Sequence, residues 1–328
     1  MIFIFFDFIL VSPADLIAGT LPHKINIMWT KNNIPDQTGK TVIVTGANAG
    51  IGFETALALY EAGAHVILAC RNLENAAGAL GKMQEKKGSG TLATALLDLS
   101  SLNSVRQFAE GFIQNYQQLN LLINNAGVMI PPASKTSEGY ELQFGVNFLG
   151  HFTLTGYLYP VLATTPGSRI ITVSSLAYLN GSIDFDNLKS EKSYDPMREY
   201  CQSKFADLLF AIELQRRIAI ADDKILSIGA QPGANKTELS RHMDQDAYTA
   251  AVARVGELMD PWQGALPSLY AAVSTEVTGG ELIGPDRDGG YRGFPAKAII
   301  TPNALDKTVA KKLWSMAEQA TGVYYPKL

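Results

Sequence analysis

Thr45-Gly46-Ala47-Asn48-Ala49-Gly50-Ile51-Gly52 joins two segments of different character. Before it, Lys40-Thr-Val-Ile-Val44 is a short apolar run; after it, Phe53 to Gly63 places apolar residues at helical spacing. The order is buried strand, glycine turn, helix. Glycine has no Cβ, so the turn is free to be tight and a ligand can approach its backbone. The helix start offers unpaired N–H groups and a positive dipole end to a phosphate. A pyrophosphate-bearing dinucleotide fits such a site. The spacing is G-x-x-x-G-x-G rather than G-x-G-x-x-G, and taken alone it also fits a strand-to-helix turn that holds nothing.

Outward from this stretch the alternation continues. Strands are expected at Ala64–Cys70, Thr91–Leu97, Leu119–Ile123, Ser168–Val173, Lys224–Ala230 and Gly279–Gly284. Helices are expected at Leu73–Lys87, Ser101–Tyr116, Tyr140–Leu162, from Tyr200 onward, and at Leu266–Val277 and Asn303–Thr321, with Gly289–Pro295 read as a loop. Such alternation predicts an α/β chain: one Rossmann-type, doubly wound parallel sheet with helices on both faces, its ligand across the carboxyl ends of the strands. An acid at the end of the second strand would bond a ribose 2′-hydroxyl and favour NAD, whereas an arginine pairs a 2′-phosphate. Cys70-Arg71-Asn72 carries the arginine. NADP(H) is therefore expected over NAD(H), with Arg71 as the phosphate partner; the alternative is a solvated arginine opening the next helix.

Bulk properties narrow the class. The chain has 328 residues, 47% apolar and 18% charged, enough for a sizeable core. A net charge of −4 gives no reason to propose nucleic acid as a partner. Cys70 and Cys201 cannot make a disulfide framework or a four-ligand zinc site. Four scattered histidines without H-E-x-x-H spacing argue against a metal enzyme.

The chemistry is carried downstream. The fifth strand ends in Ser174-Ser175, and alternation sends only one of the two hydroxyls into the crevice. Tyr200-Cys-Gln-Ser-Lys204 gives Y-x-x-x-K at the start of a helix, which puts Tyr200 and Lys204 on one face. A free tyrosine titrates near 10. A neighbouring ammonium stabilises phenolate and is expected to lower that value, making the tyrosine a usable general acid/base. Asn147 lies inside the Tyr140–Leu162 pattern, where asparagine has little local reason to be, and His151 reads as packing.

These motifs, with Asn124-Asn125-Ala126-Gly127 after the fourth strand, all in order, resemble the short-chain dehydrogenase/reductase family from Lys40 to about Thr237. The resemblance implies hydride transfer between nicotinamide and a carbonyl or alcohol carbon, with Ser175, Tyr200, Lys204 and Asn147 catalytic. It implies that Gly46, Asn48, Gly50, Ile51, Gly52, Arg71, Asp98, Leu99, Asn125, Ala126, Gly127, Tyr200, Lys204, Pro232, Gly233 and Thr237 hold the cofactor. Asp98 would meet the adenine amino group, or else cap the next helix, for which Ser100 would serve as well. Asn147 would hold a helix distortion and a water beside Lys204. Residues 238–258 would be the substrate lid. The long gap between Ser175 and Tyr200, the Ala69-Cys-Arg-Asn72 stretch and Leu313-Trp314 resemble the retinol dehydrogenase, WW-domain oxidoreductase and protochlorophyllide reductase-like branch. Self-association through the helices after Asn147 and Tyr200 is common in the family.

Other classes are weighed against this one. An idle NADP-binding sensor would often lack Tyr200 or Lys204, and both are present. A sugar-nucleotide epimerase would resemble G-x-x-G-x-x-G with a larger C-terminal part. Within residues 1–27 the apolar run Met1–Val11, with Asp7 inside it and no basic start, is a poor signal peptide and too short to span a bilayer. It fits a peripheral membrane anchor, a packed strand or helix, or a misassigned start upstream of Met28. The last is preferred, with residues 28–328 as one cofactor-binding domain in the cytoplasm and no membrane partner.

Overall fold

The computed structural model describes residues 28–327; the expectations for residues 1–27 lie outside the described residues. Seven strands run parallel: β1 (Thr41–Thr45), β2 (His65–Cys70), β3 (Thr91–Leu96), β4 (Leu121–Asn124), β5 (Arg169–Val173), β6 (Leu226–Ala230) and β7 (Leu282–Arg287). An eighth, β8 (Arg292–Lys297), pairs antiparallel with β7, and the order across the sheet is β3-β2-β1-β4-β5-β6-β7-β8. Strands β1 and β4 are buried along their whole length, which is why they read as unbroken apolar runs rather than as alternations.

The helices are α1 (Gly50–Glu61), α2 (Leu73–Gln84), α3 (Leu102–Asn115), α4 (Gly150–Thr164), α5 (Pro196–Ala221), α6 (Gln245–Val255), α7 (Pro261–Val273) and α8 (Lys307–Thr321). Strand β1 shows how they divide. Val42 and Val44 face a core shared with Leu57 and Leu59 of α1 and Leu269 of α7, while Ile43 points the other way, towards α3, α4 and α5. The second core is anchored by aromatic rings. Phe152 lies 5.0 Å from both Trp314 and Tyr325, and the Tyr325 hydroxyl donates to the Phe152 carbonyl at 2.8 Å. These contacts fix α4 and α8 together.

The sheet order reverses between β1 and β4, the switch point where a doubly wound sheet leaves an open crevice. The glycine stretch follows β1 and Asn125-Ala126-Gly127 follows β4, so the two loops flank that point.

Several boundaries differ from expectation. Gly289–Pro295 is not simply a loop: β8 starts at Arg292, at the edge of the sheet where Pro295 need not donate a ladder hydrogen bond. Helix α7 starts at Pro261 rather than Leu266, held by a reciprocal Asp260–Gln263 capping box. Helix α3 is capped by Ser101, neither by Asp98 nor by Ser100. The Tyr140–Leu162 pattern is not one α-helix: residues Phe144–Leu149 are wound as a π-helix that runs into α4.

Candidate active site

The glycine loop is shaped by two close approaches. Gly46 has φ +67°, and a Cβ built on it would lie 3.0 Å from Ala126, so the loop after β1 presses on the loop after β4. Gly52 lets α1 press on the same loop, since its Cβ would overlap the Asn125 amide and approach the Gly46 carbonyl to 2.5 Å. The Ala47 and Asn48 N–H groups point at the Cys70 sulfur at the end of β2; burial pushes that thiol up to about 11. Ile51 accepts the Thr55 hydroxyl at 2.8 Å within the first turns of α1.

The N-terminus of α1 has no side-chain cap. Helices α2, α3, α5, α6 and α8 are each capped by a side chain (Asn72, Ser101, Asp195, Asp244 and Asp306), and α7 has its capping box. Orphan N–H groups at a helix start are normally satisfied by such a cap. At α1 no side chain does so, and the helix starts just after β1 at the switch point, so the residues present fit a phosphate-bearing cofactor.

A buried polar network ties the two loops to the π-wound segment. The Thr45 hydroxyl accepts the N–H groups of Asn125 and Ala126, each at 2.9 Å, and the Asn125 amide donates to the Thr45 carbonyl at 2.8 Å. His151 joins in: Nδ1 lies 2.8 Å from the Asn147 carbonyl and Nε2 lies 2.9 Å from the Thr45 hydroxyl. A carbonyl only accepts, so Nδ1 carries the proton and Nε2 accepts from Thr45. Burial lowers the His151 pKa to about 3 and keeps the ring neutral. His151 is thus more than packing; its polar role had no signal in the sequence beyond its place one turn after Asn147. The Asn147 side chain is fully engaged, accepting from Val128 N–H at 2.8 Å and donating to the Val128 carbonyl and the Ser203 hydroxyl. The segment is started by Glu141, whose carboxylate accepts from the N–H groups of Gln143 and Phe144.

The two serines after β5 separate cleanly. Ser174 is buried and donates to the Lys204 carbonyl at 2.6 Å. Ser175 is partly exposed; its hydroxyl accepts the Ala177 N–H at 3.2 Å and acts to lower the pKa of Tyr200. Helix α5 is set by the Asp195 cap and Pro196 in its first turn, and brings Tyr200 and Lys204 to this point. The Lys204 ammonium donates to the Val173 carbonyl at 2.9 Å and to Asp207 Oδ2 at 2.8 Å. Gly127 leaves room between Asn147 and Lys204: a Cβ there would sit 3.4 Å from Asn147 Oδ1 and 3.7 Å from Lys204 Nζ.

The expected fall in the Tyr200 pKa is not found. Burial raises it above the ordinary value of 10.0; Lys204 and Ser175 pull it down, while Asp207 and Cys201 push it up. The pull of the lysine is real but is outweighed by desolvation.

The remaining predicted positions surround the same crevice. Arg71 is exposed just past β2, with no ion pair to another described residue. Asp98 Oδ1 is held by the Ser100 N–H and hydroxyl at 2.9 and 2.6 Å. Leu99 is buried against Gly150 of α4. Pro232 and Gly233 turn the chain after β6, Gly233 with φ +71° and its N–H on Gln231 Oε1. Thr237 lies directly against Gly50, since a Cβ on Gly50 would be 3.4 Å from its methyl. Residues 238–258 form a short 3-10 turn and α6, neither with a buried residue, between the bridged positions Asn235 and Met259. Sequence reasoning missed Asp207, Ser203 and Gln231. Only Asp207 left a trace, as an acid one turn beyond Lys204.

Comparison with known proteins agrees with this geometry. The family model for short chain dehydrogenase matches residues 40–247. Human retinol dehydrogenase 13 is 40% identical over 91% of this chain and 88% of its own length. A short-chain dehydrogenase/reductase from Armillaria gallica is 39% identical over 93% of this chain and 96% of its own. The crystal structure of an uncharacterised Mycobacterium paratuberculosis protein superposes with a TM-score of 0.77 at 35% identity, covering 91% of this chain and 99% of that one. The same fold appears in a Pseudomonas aeruginosa RhlG/NADP complex, with a TM-score of 0.62 at 24% identity over 78% of this chain and 97% of that one. The chain belongs to the short-chain dehydrogenase/reductase family, in its retinol dehydrogenase-like branch, and is an NAD(P)-dependent oxidoreductase of alcohols and carbonyls.

Proposed function

We propose that this oxidoreductase uses NADP(H) and works on a carbonyl/alcohol pair through Tyr200, Ser175, Lys204 and Asn147. The observation that carries the reading is that the Ser175 hydroxyl and the Lys204 ammonium, itself held on the Val173 carbonyl at 2.9 Å, both act on the buried Tyr200 phenol and favour its phenolate. NADP(H), when bound, supplies or accepts the hydride. Gly46, Asn48, Gly50, Ile51 and Gly52 would hold its pyrophosphate. Arg71 would hold the 2′-phosphate. Asp98, Leu99, Asn125, Ala126 and Gly127 would line its adenosine half, and Pro232, Gly233 and Thr237 its nicotinamide end.

In the reducing direction Tyr200 donates its proton to the carbonyl oxygen and Ser175 hydrogen-bonds the same atom. Lys204 makes the resulting phenolate tolerable in a buried site. Asn147, with its side chain bound to Val128 and Ser203, holds the π-wound segment beside Lys204. Residues 238–258 close over the substrate. An apolar alcohol or aldehyde is the first class to try, because relatives in this branch are named retinol dehydrogenases. Residues 28–328 would act as a single cofactor-binding domain. Among the described residues no helix is long and apolar enough to cross a membrane.

The test is NADPH oxidation by the purified protein on retinal, simple ketones, aldehydes and quinones, beside NADH. Turnover that prefers NADPH is expected. Turnover preferring NADH would remove the role given to Arg71, and tight NADPH binding without turnover on any carbonyl would favour a sensor.

A further inference from the structure

Asp207 lies one turn beyond Lys204 on α5 and is almost wholly enclosed: the side chains of the pair are 6% and 2% exposed. Its Oδ2 accepts from the lysine at 2.8 Å, and its Oδ1 has no hydrogen-bond partner among the described residues. A carboxylate buried with one oxygen unmatched is a poor device for holding a fold together. Its one partner is the ammonium that acts on Tyr200. Of the three donors of Lys204, one goes to Val173 and one to Asp207. The third is left for whatever enters the crevice.

We propose that Asp207 is a positioning residue of the Tyr200–Lys204 pair, anchoring the ammonium and cancelling part of its field at the phenol. This rests on the reading of Tyr200 as the acid/base. The groups that face Tyr200 are Lys204, Asp207, Cys201 and the Ser175 hydroxyl; the charge that acts on Asp207 is Lys204; from α4, His151 faces the lysine as a neutral ring. The Val173 carbonyl also holds the ammonium, so loss of Asp207 changes the charge at the phenol more than the place of the lysine. An anion beside the phenol opposes phenolate, and an anion bound to the lysine dilutes the one charge that favours it. Asp207 therefore keeps Tyr200 protonated to higher pH than Lys204 alone would. Burial also pushes the Asp207 carboxyl up to about 6, so the anchor itself takes a proton in mild acid.

The test reads Tyr200 directly. Tyrosinate absorbance is titrated without cofactor for the wild type minus Tyr200→Phe, and for Asp207→Asn minus the Asp207→Asn/Tyr200→Phe double variant. The midpoint is expected to fall by ~1 pH unit in Asp207→Asn, while Asp207→Glu, which keeps the charge, restores it to near the wild-type position. An unchanged or higher midpoint in a folded Asp207→Asn protein overturns the proposal. Should that variant not fold, the Lys204 15Nζ resonance of the wild type, assigned with Lys204→Arg, decides. A shift that titrates near pH 6 supports the anchor, and a flat line from pH 5 to 8 rejects it. Turnover is measured separately. A moved tyrosinate midpoint without any turnover supports Asp207 and sinks the oxidoreductase roles of these residues, whereas Tyr200-dependent turnover with an unmoved midpoint does the reverse.

Discussion

Helix α1 begins on glycine with no side-chain cap, whereas α5 begins on Asp195 and Pro196 and buries Tyr200, Lys204 and Asp207 along its first turns. Both helices end up at the same crevice. What α1 offers is backbone: N–H groups without a side-chain cap, after a loop whose close approaches need Gly46 and Gly52. What α5 offers is side chains whose protonation is set by burial and by one another. A site made of backbone depends on shape, and its residues are exchangeable as long as the chain can still bend. A site made of titrating side chains depends on single atoms, and it can fail without any change of shape.

The largest test of that contrast is Tyr200→Phe, which removes one buried oxygen. Turnover should fall by ~10²- to 10⁴-fold, with melting and NADPH binding unchanged; activity within a few-fold of wild type would break the side-chain half of the comparison. Gly46→Ala probes the other half. Left-handed strain adds ~1–2 kcal/mol and crowding against Ala126 adds ~1–3 kcal/mol. Denaturant unfolding should show the loss, together with weaker NADPH binding. An alanine protein of wild-type stability would mean that the loop does not need its shape.

Arg71→Ala asks for less. A charge-assisted hydrogen bond is worth ~1.5–3 kcal/mol, so NADPH affinity should weaken by ~10- to 100-fold while NADH affinity, read by the same fluorescence titration, holds. Equal loss for both cofactors would separate Arg71 from the 2′-phosphate. The gentlest test uses pH. His151 is held neutral, with its pKa depressed to about 3 from 6.5. Its contribution to stability is present above pH 6.5 and is lost as pH falls towards 3, because the unfolded chain takes the proton first. The advantage of wild type over His151→Gln should therefore shrink by ~1.4 kcal/mol per pH unit below 6.5. A difference that stays constant would mean that the ring is already charged or exposed.

Legibility in the sequence follows the same division. The buried parallel strands, the glycine turn and the Tyr200/Lys204 spacing were readable because each is a local pattern with a local cause. Strand β8 was not: Gly293 and Pro295 interrupt any alternation, and the segment is a strand only because β7 lies beside it. The start of α7 could have been found, since Asp260-Pro261 followed by Gln263 carries a capping signal. The rise in the Tyr200 pKa could not. It needs the depth of burial and the partner of the lysine, and an aspartate on a helix otherwise reads as a solvated face.

Met259 N–H donates to the Ala234 carbonyl and Lys236 N–H to the Met259 carbonyl, each at 2.9 Å, and Arg292 of β8 donates to the Val255 and Glu257 carbonyls, so the chain from 236 to 258 is tied to the body near both of its ends. Lengthening or replacing what lies between leaves β6, the Gly233 turn and α7 where they are, because closing a longer loop adds only ~0.6 kcal/mol per doubling. The segment is a cassette. On the lid role proposed above, grafting a relative's stretch here should change substrate range while Tyr200-dependent turnover persists.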